Sequence, residues 1–118
     1  MLTDKEMLEI AEKYLKKMEE EKAQELGEEN SHELMITETI KKPLGNIYYF
    51  GIKLFQETLD PKYAINASPF LVENERRRVL HFGTHYHYEQ QYEDYKNGNL
   101  QTALDTFWYP DEDRFSHE

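Results

Sequence analysis

The chain of 118 residues has no cysteine, one tryptophan, four prolines and five glycines. Without cysteine there is no disulfide framework, no thiolate metal site and no thiol nucleophile, a composition that suits a reducing compartment. Long apolar runs are missing as well. No stretch approaches the roughly 18 apolar residues that suggest a membrane span, and Met1 to Glu6 carry acids where a signal peptide would begin its apolar run. The expectation is a soluble, cytoplasmic protein. Glycine-rich phosphate loops and the Gly-x-Ser-x-Gly nucleophile elbow are also lacking.

Charge of one sign is scarce. Lysine and arginine total 14 against 24 acids, and the formal net charge is −10. The imbalance sits at the ends: residues 1–30 hold 10 acids and 5 bases, residues 89–118 hold 8 acids and 2 bases, and the middle is near neutral. Nucleic acid is disfavoured as a partner, because phosphate contact needs a basic stripe and only Arg76-Arg77-Arg78 offers even a local one. A basic protein would be drawn to the ends, although acidic faces also simply keep small proteins soluble.

What the chain has in quantity is aromatic: nine Tyr and six Phe beside the single Trp, within a hydrophobic content of only 38%. Its length fits one domain, residues 1–118, with a core built on large rings. Thr3 and Glu6 form a capping box, with Leu2 and Met7 as its hydrophobic staple. Met7, Leu8, Ala11, Tyr14, Leu15 and Met18 then recur at three- and four-residue spacing, predicting a helix that frays after about Ala23 and a loop from Gly27 to Ser31.

Strand signals follow. Leu34 to Ile40 alternates as a half-buried strand that Pro43 ends, Gly45-Asn46 reads as a turn, and Ile47 to Phe55 is apolar on both faces, as a central strand is. Gly51 within it suggests a bulge or the close approach of a neighbouring side chain. Asp60-Pro61 marks a turn, Phe70 to Glu73 a strand, and residues 74–77 a hairpin loop returning through Arg78 to Phe82. Tyr88, Tyr92 and Tyr95 make a helical stripe that Gly98 stops. Leu100, Ala103, Leu104, Phe107 and Trp108 repeat the helical spacing, and an acidic tail starts at Pro110. The expected fold is α+β: an N-terminal helix on an antiparallel sheet of about four strands, followed by one or two C-terminal helices.

Several of these pieces carry a resemblance. Gly45, the run Phe55-Gln56-Glu57-Thr58-Leu59-Asp60, the turn Asn66 to Pro69, the strand Phe70 to Glu73, and Phe82-Gly83-Thr84 ahead of Tyr92 and Tyr95 resemble the immunity protein 35 family, which includes the YrhB-like proteins. The likeness covers about residues 39–95 and a matching first helix; the acidic extension 99–118 lies outside it. Asn46 stands where the family has a turn aromatic, Leu59 where its Phe-x-Glu-Thr-Gly-Asp motif has glycine, and Asn66-Ala67 where it has Gly-Asn.

The resemblance implies a bacterial immunity protein that protects its producer by binding a cognate polymorphic toxin, with no catalysis and no cofactor. Occluding a toxin takes a patch of about 1,600 Å² in total, with aromatic anchors and charge steering. Candidate anchors are Tyr86, Tyr88, Trp108 and Tyr109, and candidate steering groups are Asp111, Glu112 and Asp113. Core packing is the plainer role for Trp108, and a disordered tail for the three acids.

Other readings stay open. A YrhB-like chaperone or stress protein would bind unfolded clients instead. His81-x-x-x-His85-x-His87 gathers three imidazoles, which suit Zn, Ni or Cu, yet there is no HExxH spacing and no cysteine beside them, so surface or helix-capping histidines are expected. Glu57 and Asp60 are a carboxylate pair that more simply caps local backbone. An exposed strand at Leu34 to Ile40 allows a monomer or a homodimer.

Overall fold

A computed structural model describes residues 1–26, 32–65, 67–84 and 86–118. The predicted loop 27–31, Asn66 and His85 lie outside the described residues. Helix α1, Asp4–Leu26, is followed by strands β1, Leu34–Lys42, and β2, Gly45–Ile52, then the short helix α2, Lys53–Thr58, and a 3-10 turn at Pro61–Tyr63. Strands β3, Phe70–Glu73, and β4, Val79–His81, lead to helix α3, Tyr88–Lys96, and the chain closes with β5, Phe107–Tyr109, and β6, Arg114–Ser116. The strands form one antiparallel sheet in the order β1-β2-β3-β4-β5-β6, so β1 and β6 are its edges.

Strand alternation divides the core between the two faces of the sheet. Tyr48, Phe70, Val72, Val79 and Trp108 pack with Met7, Ile10, Ala11, Tyr14 and Leu15 of α1. Their neighbours in the chain, Ile47, Leu71, Leu80 and Phe107, pack with Phe82 and with Tyr92 of α3. A sheet covered on both faces accounts for strands that read as continuously apolar. The start of α1 follows its sequence signature: Thr3 N–H donates to Glu6 Oε1 at 3.0 Å and Glu6 N–H to Thr3 Oγ1 at 3.2 Å. The helix runs to Leu26, a turn beyond the expected fraying point.

The α+β class agrees with the sequence, while the strand count is six rather than about four. The added strands are β5 and β6, and other expected bounds shift as well. The central strand ends at Ile52, because Lys53–Thr58 coils into α2, closed by Leu59 in the left-handed region with its N–H on Phe55 O. Of the two readings of Gly51 the close approach holds, since a Cβ there would meet Gln56 Nε2 at 3.3 Å, while the register irregularity lies in β1 between Ile36 and Glu38. The helix expected over Leu100 to Trp108 does not form. Phe107 and Trp108 alternate across β5 into opposite halves of the core, and Leu104 is 78% exposed. The tail becomes the β5–β6 hairpin, with residues 111–113 in its turn, so α3 stands between β4 and β5 and is not C-terminal. Gly45, at φ 152°, opens β2 instead of making the turn, and its missing Cβ lets Val72 O approach to within 2.0 Å of where that atom would stand. Among the described residues no helix is long and apolar enough to cross a membrane.

Candidate functional site

A cleft opens where β4 outruns its pairing with β5. Only Val79 and Leu80 of β4 face β5, so beyond them the segment 99–106 diverges and leaves a cleft of about 810 Å³ against α1, β4 and α3. Tyr14 and His81 line it on the sheet side, Tyr86 and Gln91 on the α3 side, and Glu21 and Asp105 contribute carboxylates.

The inner wall is a neutral hydrogen-bonded chain. His81 Nε2 is 3.0 Å from Ser68 O, a carbonyl that can only accept, so this nitrogen carries the ring proton and Nδ1 accepts from the Tyr14 hydroxyl at 2.7 Å. Burial pushes the imidazole below its usual pKa against the opposing pull of that carbonyl. The Tyr14 phenol is pushed far up, first by burial and then by the negative charges of Glu21 and Asp105. Gln91, fully buried, accepts from Gly83 N–H at 2.9 Å and donates to the carbonyls of Gly83 and Tyr86 at 2.8 and 2.6 Å, which ties the segment after β4 to α3.

A second polar cluster lies in the other half of the core. The buried Arg78 guanidinium donates to the Glu73 carboxylate and to the hydroxyls of Tyr109 and Tyr95 at 3.0 and 2.6 Å, and it lies 3.8 Å over the Phe107 ring. Tyr95 in turn donates to Glu73. Burial, then Glu73, pushes the Tyr95 phenol up to about 12, and the nearby Arg78 works against them. Each guanidinium nitrogen and both hydroxyls of this cluster have a partner inside the protein, which makes it a structural fastening for the β3–β4 hairpin.

The structure scatters the residues singled out from sequence. Trp108 is 2% exposed, with its ring 5.4 Å from that of Tyr14 and its Nε1–H donating to Asp113 at 2.9 Å, so it packs the core and is not presented to a partner. Tyr109 is half-buried between Arg78 and the carbonyl of Glu118. In the hairpin turn, Asp111 pairs with Arg77 at 2.8 Å, Glu112 with Arg114, and Asp113 with Lys17 at 2.7 Å. Tyr86 donates to Asp94 at 2.9 Å on the cleft wall, and Tyr88 packs edge-on against Tyr49. The histidines do not assemble among the described residues: His81 uses both nitrogens, and His87 caps α3 by accepting from Glu89 N–H. Asp60 caps the 3-10 turn through Lys62 N–H. Among the described residues no group of three or more His, Cys, Asp or Glu is placed to hold a metal ion.

Sequence reasoning missed the cleft itself. Tyr14 read as one member of a core stripe, His81 as a strand residue, and Glu21, Gln91 and Asp105 carried no local signal. Compared with known proteins, the chain matches no family model, no curated protein and no solved structure.

Proposed function

We propose that this protein is an immunity protein that binds a cognate bacterial toxin and neutralises it by occlusion, transforming nothing itself. The observation that carries the reading is the meeting of its two acidic ends. Lys13 Nζ donates to Pro110 O at 3.0 Å, Lys17 pairs with Asp113, and Glu21 and Asp105 line one cleft. Glu21 of α1 and Asp105 and Asp113 of the C-terminal segment are thereby brought to the same side of the sheet, an arrangement that steers a basic partner. Tyr86 and the half-exposed Phe115 line the same cleft, supplying ring edges for the contact. The likeness to the immunity protein 35 family adds to this. Leu59 occupies that motif's glycine position and has φ 58°, the left-handed conformation that glycine adopts without strain.

The test is titration with the toxin domain encoded beside this chain's gene. A stoichiometric complex whose association rate falls steeply between 50 and 300 mM salt supports the reading, at roughly the salt range over which surface steering is screened. A chaperone reading has its own observation in the exposed Leu59 and Leu104. Suppression of aggregation of unrelated unfolded proteins, without a defined complex, would favour it.

A further inference from the structure

The cleft beside β4 has a chemistry of its own. At about 810 Å³ it lies within the range of ligand sites, and its lining contains two carboxylates and neither lysine nor arginine. The imidazole on its inner wall is neutral, with both nitrogens spent on Tyr14 and Ser68. Glu21 and Asp105 come from distant parts of the chain yet both act on one hydroxyl, that of Tyr14. Glu21 shares Lys17 at 3.4 Å, but that ammonium sits closer to Asp113, at 2.7 Å. Asp105 has no ion-pair partner among the described residues.

We infer that this cleft receives a basic side chain, an arginine or lysine presented by a protein partner, with its cation between Glu21 and Asp105 and its stem against the rings of Tyr14 and Phe115. Aromatic walls suit such a guest, since a cation over a ring face is attracted by the ring quadrupole, and Lys17 already places its ammonium 5.6 Å from the Phe115 ring. Asn99 and Gln101 also line the cleft, and a side-chain amide is a type of group that can accept from a guanidinium fork. A protein is favoured over a free amine because apolar surface adjoins the acids: Leu104, next in the chain to Asp105, and Phe115 are both exposed. Protein interfaces place such surface around a charged anchor. The inference rests on the binding reading above and names the chemistry of the group that the partner inserts.

The experiment titrates the full chain with acetyl-Gly-Arg-Gly-amide and, separately, with the matching citrulline peptide, which keeps the shape and loses the charge, following backbone amide shifts by NMR. The expected result is saturable shifts at Tyr14, Asp105, Thr106 and Phe115 with the arginine peptide, at least tenfold weaker with citrulline and with the E21Q/D105N variant. Both substituted positions are exposed, so the fold is retained, and unchanged shifts elsewhere verify it. Equal responses to the two peptides, or wild-type binding by the variant, would overturn the inference. Spermine, as a third probe, is expected to bind more weakly than the arginine peptide; the reverse order would overturn the choice of a protein guest. In the toxin titration, wild-type affinity of E21Q/D105N would sink the cleft and leave the immunity reading standing. A toxin bound by neither chain would sink the immunity reading, with the peptide arms still deciding the cleft.

Discussion

The Tyr14 hydroxyl donates to Nδ1 of His81 at 2.7 Å, joining α1 to the end of β4 across 67 residues of chain. Replacing Tyr14 with Phe keeps the ring in the core and leaves Nδ1 without its donor. An orphaned buried acceptor costs about 1–3 kcal/mol, so Tyr14→Phe is expected to lower the unfolding free energy in urea by that amount with an unchanged slope.

The same histidine gives a pH dependence. Its pKa in the folded protein lies below the ordinary 6.5, so between those two values the unfolded chain binds the extra proton. Stability therefore rises with pH in that window: the contribution is complete above 6.5 and declines as the pH falls toward the folded value. The paired carboxylates Asp4, Asp111 and Asp113, lowered from 3.8, lose their contribution only in more acid solution. Melting temperatures from pH 7.5 to 5.0 are expected to fall for the unaltered protein and to flatten in His81→Gln; parallel slopes would contradict the assignment.

Breaking the buried pair from one side should be severe. Arg78→Met leaves Glu73 charged and buried, at a cost of about 3–5 kcal/mol. Arg78→Met with Glu73→Gln removes both charges and is expected to be milder than the sum of the single changes. A double-mutant cycle in urea reads that coupling.

Two backbone positions with positive φ predict opposite signs. Gly45→Ala would drive a Cβ to 2.0 Å from Val72 O at φ 152°, so this variant is expected not to fold stably. Leu59→Gly relieves the left-handed strain of an exposed residue and is expected to stabilise by about 1 kcal/mol, read as a rise in melting temperature.

Trp108 separates packing from recognition. Because Trp108 is a core ring of β5 packed against α1, Trp108→Ala should cost about 3–5 kcal/mol, a loss seen in calorimetry without any partner present. Unchanged stability with lost toxin affinity would return it to the surface.

Local signals made much of this fold readable. The capping box at Thr3 and Glu6, the stripe through Tyr14, the Phe70–Glu73 strand and the tyrosine helix before Gly98 each depend on residues a few positions apart. The misreadings share one cause. Phe107 and Trp108 fit a helical spacing with Leu100, Ala103 and Leu104, yet pairing with β4 decides their conformation, and that pairing is long-range. Likewise Leu54 and Phe55 of α2 extend the apolar pattern of β2, so the sequence does not mark where the strand stops at Ile52. The cleft was illegible for the same reason: its residues become neighbours only once α1 lies on the sheet.

The most direct measurement is a titration of the activity of the proposed cognate toxin with this protein. Activity falling linearly to zero at one molar equivalent is the predicted result. Full activity in the presence of excess protein would contradict the account.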